Sequence, residues 1–285
     1  MSRIAYVNGR YVRHAEAGVH IEDRGYQFSD GVYEVFAARA GCLLDEDLHL
    51  QRLQRSLSEL RIAMPMGLRA LRHVMREVLM RNRIRNGMLY LQITRGAASR
   101  DHAFPSSDVK PVLVMTARRL NEAKLKASLE AGVAVVSMAD LRWARRDIKS
   151  VSLLPNILAK QQAKEAGAYE ALLVDRDGLV TEGASSNVWI VDREGRLVTR
   201  PDSHDILNGV TRRVLLKVAA REGMEVVERA FGIDEAQAAR EVFLTSSSAI
   251  IMPVVRIDGV PVGNGVPGLI ASKLRDAYRR EEVLL

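Results

Sequence analysis

The sequence predicts a mixed α/β protein of the α+β type, made of two domains or one large one. Three observations predict it. The chain has 285 residues, against a usual domain of roughly 100–200. Apolar strand-like runs flank Asn8-Gly9, Asp177-Gly178 and Asp258-Gly259, the dipeptides that tight hairpin turns favour. Between such runs, apolar residues recur at helical spacing, as with Leu50, Leu53, Leu57 and Leu60.

Taken in order, Ala5-Tyr6-Val7 and Arg10-Tyr11-Val12 form the first hairpin. Glu22 to Asp30 reads as a polar loop with two aromatics, and Gly31 to Arg39 as a strand. A helix is expected from about Asp45, with His49, Arg52 and Ser56 on a polar face separate from its leucine stripe, a face on which an arginine is ordinarily solvated. Gly67 to Arg81 reads as a second amphipathic helix, Met88 to Thr94 and Pro111 to Thr116 as strands. The long loop between those strands contains Arg100 and His102; it reads equally as a carboxylate-binding site, which loops of that length often form, or as a surface loop with ordinary charges. Polar, charged residues then suggest a linker over 118–127, dividing a small domain (1–117) from a larger one (128–285). In the second part, Val133 to Val136 reads as a strand. Pro155 suits the first turn of a helix stopped by Gly167. Strands follow at Tyr169–Val174, Val188–Val191 and Glu241–Leu244, with helices after Val210, over Ile233–Arg240 and over Pro267–Leu284.

Composition narrows the function classes. With 47% hydrophobic and 27% charged residues, the chain is an ordinary globular sequence. No apolar run reaches the roughly 20 residues that span a bilayer, and the first residues show no apolar signal core. Cys42 is the single cysteine, so no intrachain disulfide can form and a cytoplasmic location is expected. The net charge is +7, but the basic residues are scattered, as in Arg142-Trp143-Ala144-Arg145-Arg146, and are read as a solvated surface with some arginines kept for acidic ligands. No nucleic-acid partner is expected. The six histidines are dispersed without zincin spacing, so no metal is expected.

One stretch is unusual: Asp147-Ile148-Lys149-Ser150-Val151-Ser152-Leu153. If it is extended, Lys149 shares a face with Val151 and Leu153. Either the lysine lies along apolar surface with its ammonium in water, or desolvation frees its amine to attack a carbonyl and form a Schiff base. Periodicity does not separate the two.

The order of motifs does. Asp147-Ile148-Lys149-Ser150, Asn156-Ile157-Leu158-Ala159-Lys160, Tyr169-Glu170-Ala171 and Thr181-Glu182-Gly183-Ala184-Ser185-Ser186-Asn187 together resemble the class IV aminotransferases, pyridoxal-phosphate enzymes of fold type IV. The resemblance implies two α/β domains with the cofactor in the cleft between them, in a homodimer. It implies that Lys149 carries pyridoxal 5'-phosphate as a Schiff base and later moves the substrate proton. Glu182 would then bond the protonated pyridine nitrogen, which lets the ring accept electrons. Phosphate-binding roles carry over to Arg52, to Val210 and Thr211 at a glycine-preceded helix start, and to Ser246 and Ser247.

Tyr26 to Val35, Thr94-Arg95-Gly96 and Ser99 to Pro105 further resemble the D-amino-acid aminotransferase (D-alanine aminotransferase) branch. That implies that Tyr33, Arg100 and His102 hold the substrate α-carboxylate. The expected reaction is ping-pong transfer of an amino group from a D-amino acid such as D-alanine to 2-oxoglutarate or pyruvate. A branched-chain L-amino-acid aminotransferase and an aminodeoxychorismate lyase are the alternatives within the class.

Overall fold

A computed structural model describes residues 3–282. The backbone divides into two compact units. One runs to Leu120 and includes Ile148–Ser152; the other comprises Asn121–Asp147 and the chain from Leu153.

The first unit contains β1 (Ile4–Val7), β2 (Arg10–Arg13), α1 (Arg24–Phe28), β3 (Gly31–Arg39), β4 (Cys42–Leu43), α2 (Glu46–Glu59), α3 (Leu68–Arg81), β5 (Gly87–Thr94) and β6 (Val112–Arg119). The strands form one antiparallel sheet in the order β2-β1-β6-β5-β3-β4. Asn8 and Gly9 both have positive φ, 43° and 96°, as the tight turn between β1 and β2 requires. One sheet face carries Val32 and Phe36 of β3, Leu89 and Leu91 of β5, and Leu113 and Met115 of β6. These residues pack with Leu50, Leu53 and Leu57 of α2 and with Leu71, Met75 and Val78 of α3. Truncating such a fully buried leucine to alanine costs about 2–5 kcal/mol. The alternate residues Tyr33, Val35, Tyr90 and Gln92 are half-buried on the other face.

Two expectations are revised here. The Glu22–Asp30 segment is not all loop: Asp23 caps α1 by accepting from the Gly25 and Tyr26 amides at 2.9 and 3.4 Å. The polar face of α2 is not solvated either, since His49, Arg52 and Ser56 are all buried. The residues read as linker comprise the end of β6 and the first turns of α4 (Glu122–Ala131), and the unit boundary falls after Leu120.

The second unit continues with β7 (Val133–Ala139), α5 (Leu154–Glu165), β8 (Glu170–Val174), β9 (Val180–Gly183), β10 (Asn187–Val191), β11 (Leu197–Thr199), α6 (Val210–Arg221), β12 (Val226–Glu228), α7 (Ile233–Ala238), β13 (Glu241–Ser246), β14 (Ile250–Ile257), β15 (Val260–Pro261) and α8 (Leu269–Glu282). Val283 and Leu284, expected to extend α8, lie outside the described residues. The sheet order is β12-β11-β10-β13-β14-β7-β8-β9, with β15 paired to β14. It is mixed, because β7 runs parallel to both β8 and β14. Strands β9 and β10 are buried at every position, so the polar side chains they carry must be hydrogen-bonded. No helix among the described residues is long and apolar enough to cross a membrane.

Candidate active site

Lys149 lies in the first unit, in an irregular strip rather than a regular strand. Ser150 forms a single antiparallel bridge with Val32 of β3. The Tyr33 amide donates to the Lys149 carbonyl at 3.0 Å, and the Val151 amide to the Gly31 carbonyl at 3.0 Å. The Lys149 amide donates to the Ser56 hydroxyl of α2 at 3.3 Å. These bonds satisfy the strip's backbone and fix its sides. Ile148 and Ser150 are buried, whereas Lys149, Val151, Ser152 and Leu153 are half-buried, so burial alternates from Ile148 to Val151 and stops there, where the chain turns into α5 at Leu153. The Lys149 Nζ stands 4.2 Å from the centroid of the Tyr33 ring, and that ring stacks on Tyr90 with centroids 5.8 Å apart. The amine therefore rests on an aromatic face. Burial pushes the Tyr90 hydroxyl up to about 12, so it stays neutral; it donates to Gln92 Oε1 at 2.7 Å.

Beneath the sheet, Glu34 is fully buried. Arg52 donates to it from Nε and Nη2 at 2.7 and 2.9 Å, and His49 Nδ1 lies 2.7 Å from its second oxygen. Burial opposes the Glu34 charge, but Arg52 and then His49 hold its carboxyl far below the usual range. Burial also lowers the His49 pKa despite Glu34, so the imidazole is neutral and donates from Nδ1. Arg52, for which the resemblance implies a phosphate-binding role, has its Nε and Nη2 bonded to Glu34. Its sequence signal was available: Glu34 alternates onto the same face as Val32 and Phe36, where a carboxylate requires a partner.

Arg100 and His102 are exposed and share one support, the ring of Phe28. Arg100 Cζ is 5.0 Å from its centroid, and the His102 ring is 5.4 Å away. Among the described residues no hydrogen bond, ion pair or ring contact joins this pair to Tyr33 or Lys149.

In the second unit, Glu182 on β9 is 4% exposed. Its oxygens accept from Asn187 Nδ2 at 2.9 Å and from the Leu207 amide at 3.1 Å, and Arg142 Nη1 makes a further contact. Asn187 also donates to the Leu207 carbonyl at 2.9 Å, which ties the segment leading into α6 to the same carboxylate. A Cβ on Gly209 would lie 2.0 Å from Asn187 Oδ1, so only glycine fits there. Val210 and Thr211 open α6, whose N-terminus has no side-chain cap; the first amides of a helix lack intrahelical partners and favour anions. Asn187 faces Thr245 across the β10–β13 ladder, and β13 ends at Ser246, whose hydroxyl lies 3.3 Å from that of Ser248.

Sequence reasoning passed over Arg142, Asp140 and Asn187. The basic run at 142–146 is not simply a solvated surface, because Arg142 and Arg146 are ion-paired to Asp140 with little exposure. An Asp-x-Arg pair ahead of a lysine strip is a short local signal that composition alone hides.

Each unit by itself carries groups suited to part of a phosphorylated pyridine aldehyde. In the first, an amine on an aromatic face suits the aldehyde. In the second, a buried carboxylate held by arginine, asparagine and backbone donors suits a protonated ring nitrogen, and the uncapped start of α6 suits a phosphate dianion. Comparison with known proteins agrees. Residues 31–257 match the family model for amino-transferase class IV. A D-alanine aminotransferase of Bacillus licheniformis is 42% identical over 272 residues, covering 95% of this chain and 94% of that one. One from Staphylococcus haemolyticus is 40% identical over 275 residues, covering 96% of each. Among solved structures, a branched-chain amino acid aminotransferase of T.th. with pyridoxamine 5'-phosphate superposes with a TM-score of 0.89 at 26% identity, covering 99% of this chain and 94% of that one. The Escherichia coli branched-chain enzyme shares the fold at a TM-score of 0.88 and 23% identity, covering 98% and 94%. The chain therefore belongs to the class IV aminotransferases, pyridoxal-phosphate enzymes of fold type IV.

Proposed function

We propose that the protein transfers the amino group of a D-amino acid, D-alanine among them, to a 2-oxo acid such as 2-oxoglutarate or pyruvate. The observation that carries this reading is the Lys149 amine held 4.2 Å from the Tyr33 ring, in a chain 37–42% identical to D-alanine aminotransferases along nearly its whole length.

Lys149 would hold the cofactor aldehyde, Glu182 its ring nitrogen, and Val210, Thr211, Ser246, Ser247 and Arg52 its phosphate. When bound, the cofactor supplies an electron sink for the substrate Cα. The chain's residues supply the rest. Glu182, oriented by Arg142, Asn187 and the Leu207 amide, presents a carboxylate to a ring N–H. Lys149 Nζ takes the proton from the substrate Cα and returns it, so the face it approaches sets the handedness of the reaction. The Tyr33 hydroxyl, the Arg100 guanidinium and His102 bind the α-carboxylate, for which the fork of an arginine is well shaped.

The active form is proposed to be a cytoplasmic homodimer. Leu154, Ile157 and Leu158 form an exposed apolar strip along α5, and Cys42 is an exposed free thiol. Light scattering at twice the chain mass supports the dimer; a monomer that is active contradicts it.

A branched-chain L-amino-acid substrate is the second reading, favoured by the superposition on branched-chain enzymes. Assaying D-alanine against L-leucine with 2-oxoglutarate decides. Turnover of D-alanine alone supports the proposal, and turnover of L-leucine alone overturns it.

A further inference from the structure

Helix α1 contributes nothing to the residues assigned above, yet it holds the loop that carries two of them. Arg24 is buried, at 3% exposure. Its Nη1 donates to the Asp101 carbonyl at 2.6 Å and its Nη2 to the His102 carbonyl at 3.4 Å. Its Nε donates to Asp30 Oδ2 at 2.8 Å. Asp30 also accepts from Arg95 Nε and Nη2 at 2.7 and 2.9 Å, and the two arginines hold its carboxyl low against the opposing effect of burial. Phe28, four residues after Arg24, lies under three groups at once. Arg24 Cζ is 4.9 Å from its centroid, Arg100 Cζ is 5.0 Å away, and the His102 ring is 5.4 Å away at an interplanar angle of 49°.

The helix itself is fixed to the sheet. The Thr94 hydroxyl donates to the capping carboxylate of Asp23 at 2.8 Å, and a Cβ on Gly25 would lie 2.2 Å from Thr94 Cγ2. The loop leaves β5 through Gly96, at φ +110°, where a Cβ would lie 2.2 Å from the Lys110 carbonyl. The stem and the tip of the loop are therefore both held, while Arg100 and His102 reach into solvent.

We infer that Phe28 and Arg24 are positioning residues that aim Arg100 and His102 and so set the affinity for the substrate carboxylate. This rests on the reading that those two side chains bind that carboxylate. An exposed arginine carries much rotamer freedom, which binding must remove. Resting its guanidinium on a ring fixed to the sheet removes part of that freedom beforehand, which strengthens binding without any new contact to the ligand. The Arg24 bonds act on the backbone of the same loop and keep Asp101 and His102 at the height of the ring. The effect is on binding, with the proton transfer at Lys149 left alone.

The test is steady-state kinetics on the holoenzyme with D-alanine and 2-oxoglutarate. Phe28→Leu removes the ring face, and loss of the cation–ring contact raises the KM for D-alanine about 2- to 5-fold, with kcat and cofactor absorbance close to the parent. Phe28→Tyr keeps the ring and restores the parent KM. In an Arg100→Ala, His102→Ala background, Phe28→Leu adds no further change. Arg24→Lys keeps the charge on Asp30 but loses the fork to the two carbonyls. It raises KM in the same way, and serves if Phe28→Leu proves unstable. An unchanged KM in both Phe28→Leu and Arg24→Lys overturns the inference. So does an equal effect of Phe28→Leu in the doubly substituted background. If the Arg100→Ala, His102→Ala enzyme itself keeps the parent KM, the carboxylate assignment fails and the inference with it. If that enzyme loses affinity while the α1 variants do not, the inference alone fails.

Discussion

Arg142 and Asp140 are joined twice: the arginine's Nε and Nη2 donate to the aspartate's Oδ1 and Oδ2 at 2.9 and 2.8 Å. The opposite edge of the same guanidinium holds Glu182. Burial works against the charge on Arg142, but Glu182 and Asp140 more than compensate and raise its pKa. Asp140 is lowered in turn, mainly by its bond to Arg142 against the pull of burial. It also accepts from the Thr181 hydroxyl at 2.8 Å. The carboxylate proposed for the cofactor ring is thus oriented by an arginine that is itself oriented by a second carboxylate.

Replacing Arg142 by methionine removes the cation that bonds both Glu182 and Asp140 and leaves Asp140 ion-paired with Arg146 alone among the described residues. Removing one partner of a buried ion pair costs about 3–5 kcal/mol. Urea unfolding of Arg142→Met is expected to show a loss of that order, together with weaker retention of the cofactor on dialysis. Parent-like stability contradicts the pairing described.

Stability should fall in acid in two stages. The folded-state pKa of His49 lies below the ordinary histidine value of 6.5, so the unfolded chain takes up its proton first. The stability it contributes is complete above 6.5 and is lost as pH drops through the lower folded value. Glu34, Asp30 and Asp140 are likewise lowered from the ordinary carboxylate values of 4.5, 3.8 and 3.8, and their contribution is lost below those values. Urea midpoints across this range are expected to decline with falling pH. Glu34→Gln should be less stable at neutral pH and show a shallower acid limb. An acid limb as steep as the parent's contradicts the Glu34 assignment.

Gly209→Ala tests the link between Glu182 and the start of α6. The added Cβ would meet Asn187 Oδ1 at 2.0 Å, so Asn187 must leave Glu182 or the helix start must shift. A hydrogen bond to a charged group is worth about 1.5–3 kcal/mol, which is roughly 10- to 100-fold in cofactor affinity. Titration of the apoenzyme with pyridoxal phosphate measures it; an unchanged affinity contradicts the link.

Much of the fold was readable from the sequence, for specific reasons. Asn8-Gly9 and Asp258-Gly259 adopt the positive φ angles that their hairpins require. Leu50, Leu53 and Leu57 of the leucine stripe on α2, and the Val210, Val214, Leu215 and Val218 face of α6, are buried. Lys149 was conspicuous because a cation alternates with apolar residues. The parts that escaped depend on contacts between distant residues. The five-residue helix α1 is too short to show a period, and its meaning comes from Asp30, Asp101 and His102. His49 and Arg52 look like a solvated face until Glu34 is placed 2.7 Å away. Asp140 and Arg142 reveal their role only once β9 brings Glu182 beside them.

The central claim is that the amine of Lys149 carries the cofactor and moves the substrate proton. The measurement that tests it most directly is the visible absorbance of the lysine-bound cofactor, with D-alanine turnover, in Lys149→Ala against the parent at matched folding by circular dichroism. Loss of both the absorbance band and the turnover in a folded protein is the predicted result. A folded Lys149→Ala protein that keeps the band and turns over D-alanine at a comparable rate would contradict the claim.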